Sequence, residues 1–305
     1  MHRQHTIARP ASCAGIGLHT GARSKLTIRP ANVGEGVRFV RTDVKDRDPV
    51  VPASALGVSS THLGTNLTNG AGVSVATVEH FLAACSGMGV DNLVAELDGP
   101  EAPIMDGSAA PFVALIAEAG LTPQLAAQRR LKILKPVEVR EGRKLARLAP
   151  GEGFAIRVAI DFPARVIGRQ TIAFVFQPGA FARDVAFART FGFAAEVEKL
   201  RSMGLARGGS LDNAIVVDGD TILNPDGLQV PDEFVRHKLL DVIGDLYLAG
   251  GPIEGLYEGD QTGHARNNRL LRAVFADAAP TRGLRIQPLR ARRGHSCLIK
   301  RVNSP

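Results

Sequence analysis

A histidine and an aspartate four positions apart, His237 and Asp241, form the arrangement in this sequence best suited to binding a metal. In a helix that spacing places both side chains on one face, one turn apart. An imidazole and a carboxylate held in this way can bind one divalent cation. A catalytic zinc takes three protein ligands and keeps a further position for water. The pair therefore predicts two of three ligands, and the third has to come from another element.

The third ligand is expected to be His80, because its helix corresponds to the helix that carries His237. In each half of the chain the pattern predicts a helix, a glycine stop, a strand, a loop and a second helix. The predicted elements are residues 76–86, 92–97 and 110–119 in the first half, and residues 232–249, 253–257 and 263–276 in the second. This recurrence indicates a duplicated α+β unit whose halves pack face to face, which brings the two first helices together.

Acid–base groups accompany the three expected ligands. Glu79 precedes His80, and a carboxylate beside a metal ligand can take a proton from water. His264 begins the last predicted helix and can donate a proton to a leaving group, or stabilise an oxyanion as imidazolium. Asp245 lies one turn beyond Asp241 and can hold the His264 ring. Taken singly, these residues are also typical of surface pairs, buried histidines and helix starts, so their placement in corresponding elements is what favours a site.

The chain is expected to contain two domains and a tail. Its 305 residues fit two domains, and a polar, Ala/Gln-rich segment at residues 122–130 is predicted to be the linker. The predicted boundaries are residues 1–125 for the first domain, 131–280 for the second, 193–223 for an insert in the second, and 281–305 for a basic C-terminal tail. Alternating apolar and polar residues predict strands at residues 24–29, 37–41, 131–139, 154–162, 171–176 and 214–217, with a further helix at 180–187.

Charge and composition restrict the partners. A net charge of +7 and a pI near 9.7 favour an anionic small substrate, such as a nucleotide, or nucleic acid. With two Tyr and no Trp, the chain lacks the aromatic residues that stack on bases, so a basic nucleic-acid-binding protein is kept as a remote alternative. Three cysteines without CxxC spacing, and no apolar run of about 18 residues, indicate a cytoplasmic protein without a disulfide framework or transmembrane segment. We expect a monomer.

Seven stretches carry a resemblance to a known family. They are Gly15-Ile16-Gly17-Leu18-His19-Thr20-Gly21, Thr77-Val78-Glu79-His80, Val90-Asp91-Asn92, Pro103-Ile104-Met105-Asp106-Gly107-Ser108-Ala109-Ala110-Pro111-Phe112, Ala188-Arg189-Thr190-Phe191-Gly192-Phe193, Phe234-Val235-Arg236-His237-Lys238-Leu239-Leu240-Asp241 and Gly263-His264. With these stretches the chain resembles the UDP-3-O-acyl-N-acetylglucosamine deacetylases, the zinc amidases that commit bacteria to lipid A synthesis.

The resemblance implies a fold of two similar α+β domains, each with a small insert. It also implies an amidase that releases acetate from the N-acetyl group of UDP-3-O-acyl-N-acetylglucosamine. The implied roles are zinc binding by His80, His237 and Asp241, general base for Glu79, general acid or electrostatic stabiliser for His264, and support of His264 by Asp245. Fe²⁺ fits the same set of ligands.

The resemblance further implies substrate contacts. Thr190 is expected to hydrogen-bond the tetrahedral oxyanion, and the insert is expected to form an apolar passage for the acyl chain. The other expected contacts are Leu18, Lys238, Phe191 and Phe193, with Phe162 on the uracil and Lys144 near the diphosphate. Without the family, the aromatic residues are typical of a core and the lysines of a solvated surface.

Two positions depart from the family pattern. Gln261 stands where relatives can carry a lysine that meets phosphate, so Lys144 or Arg266 is expected to compensate. His62 lies in a loop where some relatives have residues near the metal, and it is either an additional ligand or a plain loop residue. A zinc amidase of the same architecture acting on a different sugar nucleotide remains the main alternative.

Overall fold

Two sheets with the same strand order organise the computed structural model, which describes residues 2–277. The first half contains β1 (Arg3–Ile7), β2 (Ala11–Ile16), β3 (Arg23–Pro30), β4 (Val37–Arg41), β5 (Val50–Pro52), β6 (Val58–Ser60), β7 (Asn66–Thr68), β8 (Ser74–Val75), α1 (Glu79–Met88), β9 (Leu93–Leu97), α2 (Ala110–Ala119) and β10 (Leu121–Ala127). The second half contains β11 (Leu131–Lys132), β12 (Val137–Glu141), β13 (Lys144–Ala149), β14 (Phe154–Asp161), β15 (Arg169–Val175), α3 (Ala180–Asp184), β16 (Phe191–Phe193), α4 (Ala194–Ser202), β17 (Ile215–Asp218), β18 (Thr221–Ile222), α5 (Glu233–Tyr247), β19 (Ile253–Asp260) and α6 (His264–Asp277). The predicted basic tail, residues 281–305, lies outside the described residues.

The strand order of the two sheets is the same once corresponding strands are aligned. The first sheet runs β2-β3-β9-β4-β5, and the second runs β12-β13-β19-β14-β15, with β11 added beside β19. In each sheet the last strand of the unit is antiparallel to one neighbour and parallel to the other. One helix precedes that strand and another follows it, α1 and α2 in the first half, α5 and α6 in the second. The predicted duplicated α+β fold is thereby confirmed.

Alternating burial explains why these segments are strands. β19 buries every second residue, including Ile253 and Tyr257, and leaves the intervening residues partly exposed. β4 buries Val37 and Phe39 in the same way. A period of two turns one face of a strand toward a core, and Phe39 uses that face to meet Phe81 of α1 at a ring-centroid distance of 5.8 Å. β3 and β4 confirm the two strands predicted first along the chain.

The helices α1 and α5 pack against each other between the two halves. Seven of the ten residues of α1 and twelve of the fifteen of α5 are buried. A helix buried on nearly all sides lies inside a protein rather than on its surface. The close approach depends on Gly244 of α5, where a Cβ would overlap the Glu79 carbonyl oxygen and lie 2.8 Å from its carbon. Within the described residues, no helix has both the length and the apolar character for crossing a membrane.

Each half carries a small three-stranded insert before its central helix. β6, β7 and β8 form the first insert, and β16, β17 and β18, with α4, form the second. In the second insert β16 runs parallel to β17, which is antiparallel to β18. The sequence prediction begins this insert at residue 193, whereas its first strand begins at Phe191. A strand of three residues is too short to produce a periodic signal.

The segment predicted as a linker is a strand. β10 pairs with β1 in an antiparallel, two-stranded ribbon. β10 itself has no buried residue, although its partner β1 buries Gln4, Thr6 and Ile7. β10 therefore lacks the apolar alternation by which strands are detected. We propose that the two domains divide after this ribbon, at residues 128–130.

Other predicted boundaries also need correction. The strand predicted at residues 131–139 is two strands, β11 and β12, separated by a segment that contains Pro136, which has no N–H for a ladder. The helix predicted from residue 76 begins at Glu79, because Thr77 has a φ of 55°, outside the α-helical region. The helix predicted to residue 187 ends at Asp184, because Val185 has left the helical conformation with a φ of −131°.

Candidate metal and acid–base site

The central helix pair brings three buried side chains together, which we call the ligand group: His80, His237 and Asp241. His80 lies in the first turn of α1, and the other two lie one turn apart on α5. Asp241 Oδ1 is 3.7 Å from His80 Nε2 and 3.4 Å from His237 Nε2. Ligand atoms of all three residues lie within 4.8 Å of one another. This spacing suits one divalent cation, whose nitrogen and oxygen ligands lie about 2.0–2.2 Å from it.

Both imidazoles have the charge state of metal ligands, and His237 also has the hydrogen bond that orients one. His237 Nδ1 lies 3.1 Å from the Ala188 carbonyl oxygen and can donate to it, which leaves Nε2 as a ligand atom. His80 Nδ1 is buried without a hydrogen-bond partner among the described residues. His80 Nε2, which lies 3.7 Å from Asp241 Oδ1, is the nitrogen that faces the other two ligands. Burial lowers the pKa of His80 to about 3 and also lowers the pKa of His237, which keeps both rings in the neutral, metal-binding form.

Asp241 is held in its ionised form. Burial alone would raise the pKa of Asp241. Nearby charged groups, of which the Lys238 ammonium has the largest effect, outweigh burial and hold this pKa well below its usual range. Lys238 Nζ donates to Asp241 Oδ2 at 2.9 Å and lies 5.2 Å from the centroid of the Phe191 ring. One carboxylate oxygen of Asp241 therefore faces the imidazoles while the other faces the ammonium.

Glu79 and His264, which we call the acid–base pair, face each other beside the ligand group. Glu79 Oε1 lies 3.8 Å from His264 Nε2. Burial raises the pKa of Glu79 to about 7, although His264 acts in the opposite direction. Burial lowers the pKa of His264, but the Asp245 carboxylate outweighs burial, and the pKa rises to about 10. A carboxylate that titrates near neutral pH, opposite a protonated imidazole, is suited to acid–base catalysis.

Asp245 lies next to the His264 ring, as the sequence predicts. Its Oδ2 is 2.9 Å from His264 Nδ1. A hydrogen bond at that distance assigns a proton to Nδ1 and directs Nε2 toward Glu79. Asp245 is 3% exposed, so bulk water does not compete strongly for this bond.

A cavity of about 320 Å³ opens over these groups. Its walls include four of the expected substrate contacts, Leu18, Thr190, Phe191 and Lys238. The Thr190 backbone N–H donates to the Gly107 carbonyl at 2.8 Å, which anchors the start of the second insert beside the ligand group. The structure therefore brings these four residues to the site.

Three other expected substrate contacts do not line this cavity. Phe162 packs between Phe191 and Phe193, with ring-centroid distances of 5.5 Å and 5.9 Å. Phe162 and Phe193 therefore extend an aromatic cluster away from the ligand group. Lys144 is the exposed first residue of β13, whereas Arg266 lines the cavity. Of the two basic residues expected to compensate for Gln261, Arg266 is the one that the structure places at the site.

Other residues of the site are not indicated by sequence patterns. Leu63 and Thr77 line the cavity with φ angles of 59° and 55°, left-handed conformations that non-glycine residues rarely adopt. Thr65 and Asn267 contact the acid–base groups from behind, and their only sequence signal is that they are polar residues close to the motifs. His62 is exposed and lies outside the ligand group, which is consistent with a plain loop residue.

Substitution Gly244→Ala is expected to impair the site from behind. The added methyl group would overlap the Glu79 carbonyl, so α1 and α5 would have to separate. Overpacking of this kind costs about 1–3 kcal/mol of stability, and a displacement of about 1 Å at a reacting group can cost about 100-fold in rate. We expect kcat to fall by about that factor, measured as product formation, together with a lower melting temperature.

Gly70→Ala is the matched control for this substitution. A Cβ at Gly70 would meet no atom within 4 Å, so both kcat and melting temperature should stay at the wild-type level. A Gly244→Ala variant with wild-type kcat would show that the helix crossing does not determine the position of Glu79.

The fold and the site together define a class of protein. Two α+β units place a buried His-His-Asp ligand group next to an acid–base pair, an arrangement typical of metal-dependent hydrolases. Comparison with known proteins then identifies the family. Residues 4–276 match the family model described as LpxC, UDP-3-O-acyl N-acetylglycosamine deacetylase, and the chain belongs to this family.

Relatives with the same name agree with this assignment. The UDP-3-O-acyl-N-acetylglucosamine deacetylase of Phenylobacterium zucineum is 52% identical over 273 residues, which cover 90% of this chain and 93% of the relative. The enzyme of that name from Myxococcus xanthus is 54% identical over 276 residues, covering 90% and 87%. That of Neisseria meningitidis serogroup C is 46% identical over 277 residues, covering 90% of each chain.

Proposed function

We propose that this chain is a zinc-dependent deacetylase that removes the N-acetyl group of UDP-3-O-acyl-N-acetylglucosamine in lipid A synthesis. The observation that carries the proposal is the buried ligand group beside the acid–base pair, in a chain that matches the family over residues 4–276. The relatives described above bear the name of this activity.

Zinc suits the ligand group on chemical grounds. Two neutral imidazoles and one carboxylate are a common donor set for a catalytic zinc, and Fe²⁺ fits the same set. A bound zinc ion supplies Lewis-acid polarisation of the amide carbonyl and lowers the pKa of water to about 7. We therefore propose zinc as the metal and Fe²⁺ as the alternative, which metal analysis distinguishes.

The acid–base pair supplies the proton transfers. Glu79, as a carboxylate, takes a proton from the water whose oxygen forms the new bond to the amide carbon. Thr190 donates its hydroxyl proton to the oxygen that becomes negative, a role supported by its place in the cavity wall. His264 gives a proton to the amide nitrogen as the C–N bond breaks, so that acetate and a free amino sugar leave. The proton on Glu79 then restores the His264 imidazolium or passes to solvent.

Charged and aromatic groups suit the two ends of this substrate. Lys238 and Arg266 bring positive charge to the cavity, which favours a diphosphate. Phe191 and Phe193 form the first strand of the second insert, and apolar side chains of this kind suit an acyl chain. We keep Phe162 as a proposed uracil contact and Lys144 as a proposed diphosphate contact farther from the ligand group.

The proposal also includes the cellular location and the oligomeric state. We propose a cytoplasmic location, which the free thiols of Cys13 and Cys85 support, because disulfides rarely persist in reducing compartments. We further propose that the enzyme works as a monomer. The ligand group, the acid–base pair and the cavity walls all come from one chain, so catalysis does not require a second copy.

Acetate release from two substrates tests the proposal. The purified protein would be assayed with UDP-3-O-acyl-N-acetylglucosamine and with UDP-N-acetylglucosamine, which lacks the acyl chain. We expect kcat/KM to be at least about 100-fold higher for the acylated substrate, since burial of about four methylenes at roughly 0.8 kcal/mol each is sufficient. A chelator should abolish the activity, and added Zn²⁺ should restore it.

Two negative results of this assay would have different meanings. Equal kcat/KM for both substrates would contradict the acyl passage and favour an amidase for a different sugar nucleotide. Absence of acetate release from either substrate, with metal bound and the protein folded, would contradict the proposed function itself.

A further inference from the structure

Thr65 connects the two halves of the acid–base machinery. Its backbone N–H donates to Glu79 Oε2 at 2.9 Å, and its hydroxyl donates to Asp245 Oδ1 at 2.6 Å. Its carbonyl accepts from the Val78 N–H at 3.2 Å, so each of its polar groups is used at the site. Thr65 is 2% exposed and does not line the cavity. It can therefore influence the reaction only through the groups that it holds.

Asn267 holds the other oxygen of Asp245. Its Nδ2 donates to Asp245 Oδ2 at 2.8 Å. Its Oδ1 accepts from the hydroxyls of Tyr257 and Thr262 at 2.6 Å and 2.9 Å. These two bonds turn the amide oxygen away from Asp245 and the amide nitrogen toward it. Asn267 is fully buried, so its amide has no water with which to exchange these partners.

Asp245 is consequently surrounded by donors. Oδ1 receives the Thr65 hydroxyl and Oδ2 receives the Asn267 amide, while His264 Nδ1 lies 3.1 Å and 2.9 Å from the two oxygens. Donors on both oxygens fix the orientation of the Asp245 carboxyl group. His264 then keeps its proton on Nδ1, and its Nε2 is fixed opposite Glu79 at 3.8 Å.

We propose that Thr65 and Asn267 are positioning residues of the deacetylation, which hold the Asp245 carboxylate so that His264 Nε2 stays opposite Glu79. This inference rests on the proposed function, because it assigns roles within that reaction. Thr65 allows the sharper test, because it reaches Asp245 from the other half of the chain.

Thr65→Val tests the role of the hydroxyl alone. Valine keeps the shape of the side chain and the backbone N–H that holds Glu79, but it cannot donate to Asp245. We expect kcat to fall by about 10–100-fold, the usual effect of removing a group that orients a reacting residue. KM and bound metal should stay at wild-type values, because Thr65 lines neither the cavity nor the ligand group. Thr65→Ser, which keeps the hydroxyl, should restore most of the rate.

Thr68→Val is the matched control. The Thr68 hydroxyl donates to Ser59 Oγ at 2.7 Å on the same insert sheet, away from the acid–base pair. The substitution removes a threonine hydroxyl from the first insert but no hydrogen bond to Asp245, so kcat should not change.

A double-mutant cycle with Asp245→Asn shows whether Thr65 acts through Asp245. If it does, Thr65→Val should lower kcat far less in the Asp245→Asn background than in the wild type. Losses that multiply independently would overturn the inference, and so would a Thr65→Val enzyme with wild-type kcat. Failure of the wild-type enzyme to release acetate would instead refute the proposed function.

Asn267→Ser gives a second test from the other side of Asp245. It removes the amide donor from Oδ2, and its loss in kcat should also be coupled to Asp245→Asn. If Thr65→Val does not fold, as judged by its melting curve, this variant decides the question. An Asn267→Ser enzyme with wild-type kcat would then overturn the proposal.

Discussion

Glu79→Gln is expected to lower kcat by about 10²–10⁴-fold, the range for loss of a general base, while the metal remains bound. Glutamine keeps the size of the side chain and an oxygen that can accept from the Thr65 N–H, but it cannot take a proton from water. Acetate release and metal content should be measured on the same preparation. A Glu79→Gln enzyme with near wild-type kcat would contradict the role of Glu79 as the base.

The pH profile of the wild-type enzyme checks the same assignment. Burial raises the pKa of Glu79 to about 7, and a bound cation lowers it again because positive charge favours the carboxylate. The base works when ionised, so the rate should fall as the pH drops through that pKa. The imidazolium of His264, with a pKa raised by Asp245 against burial to about 10, should be lost on the alkaline side. A rate that is constant from acid to alkaline pH would contradict the acid–base pair.

His237→Ala is expected to lose the metal and, with it, all activity above background. The substitution removes one of three ligands from a site whose other two, His80 and Asp241, come from different helices. Two protein ligands hold a divalent cation much more weakly than three, so dialysis should leave the variant without metal. The measurement is metal per chain after dialysis, combined with acetate release.

His62→Ala is the control for this experiment. His62 is an exposed histidine outside the ligand group, so its loss should change neither metal content nor rate. Full metal occupancy in His237→Ala would refute the site, whereas metal loss in His62→Ala would show that the ligand group is incomplete as described.

Much of the fold could be predicted from local patterns. The sequence pattern predicts a helix at residues 110–119 and a strand at 37–41, and α2 and β4 have these bounds. Both segments bury a regular face, and a regular face leaves a periodic signal in the sequence. β10 does not have such a face, because none of its own residues is buried where it pairs with β1. The start of α1 depended on the backbone of Thr77, whose left-handed φ is not specified by residue type.

The site likewise contains residues that local patterns predict and residues that they do not. The sequence could predict that His237 and Asp241 share one face of a helix and that Glu79 and His80 share another helix. Residues on one helix keep a fixed relative geometry. The supporting residues could not be predicted in this way, since Thr65 and Asp245 are 180 positions apart in the chain.

Local sequence patterns encode the ligand types, the helix that carries two of them, the duplicated order of elements and the family motifs. Which of these groups meet depends on how the two halves of the chain pack. Gly244 lets α5 approach the Glu79 backbone, so Glu79 and His80 of one half reach His237, Asp241 and His264 of the other. Such contacts depend on close packing between distant segments, and packing of that kind has no period along the chain.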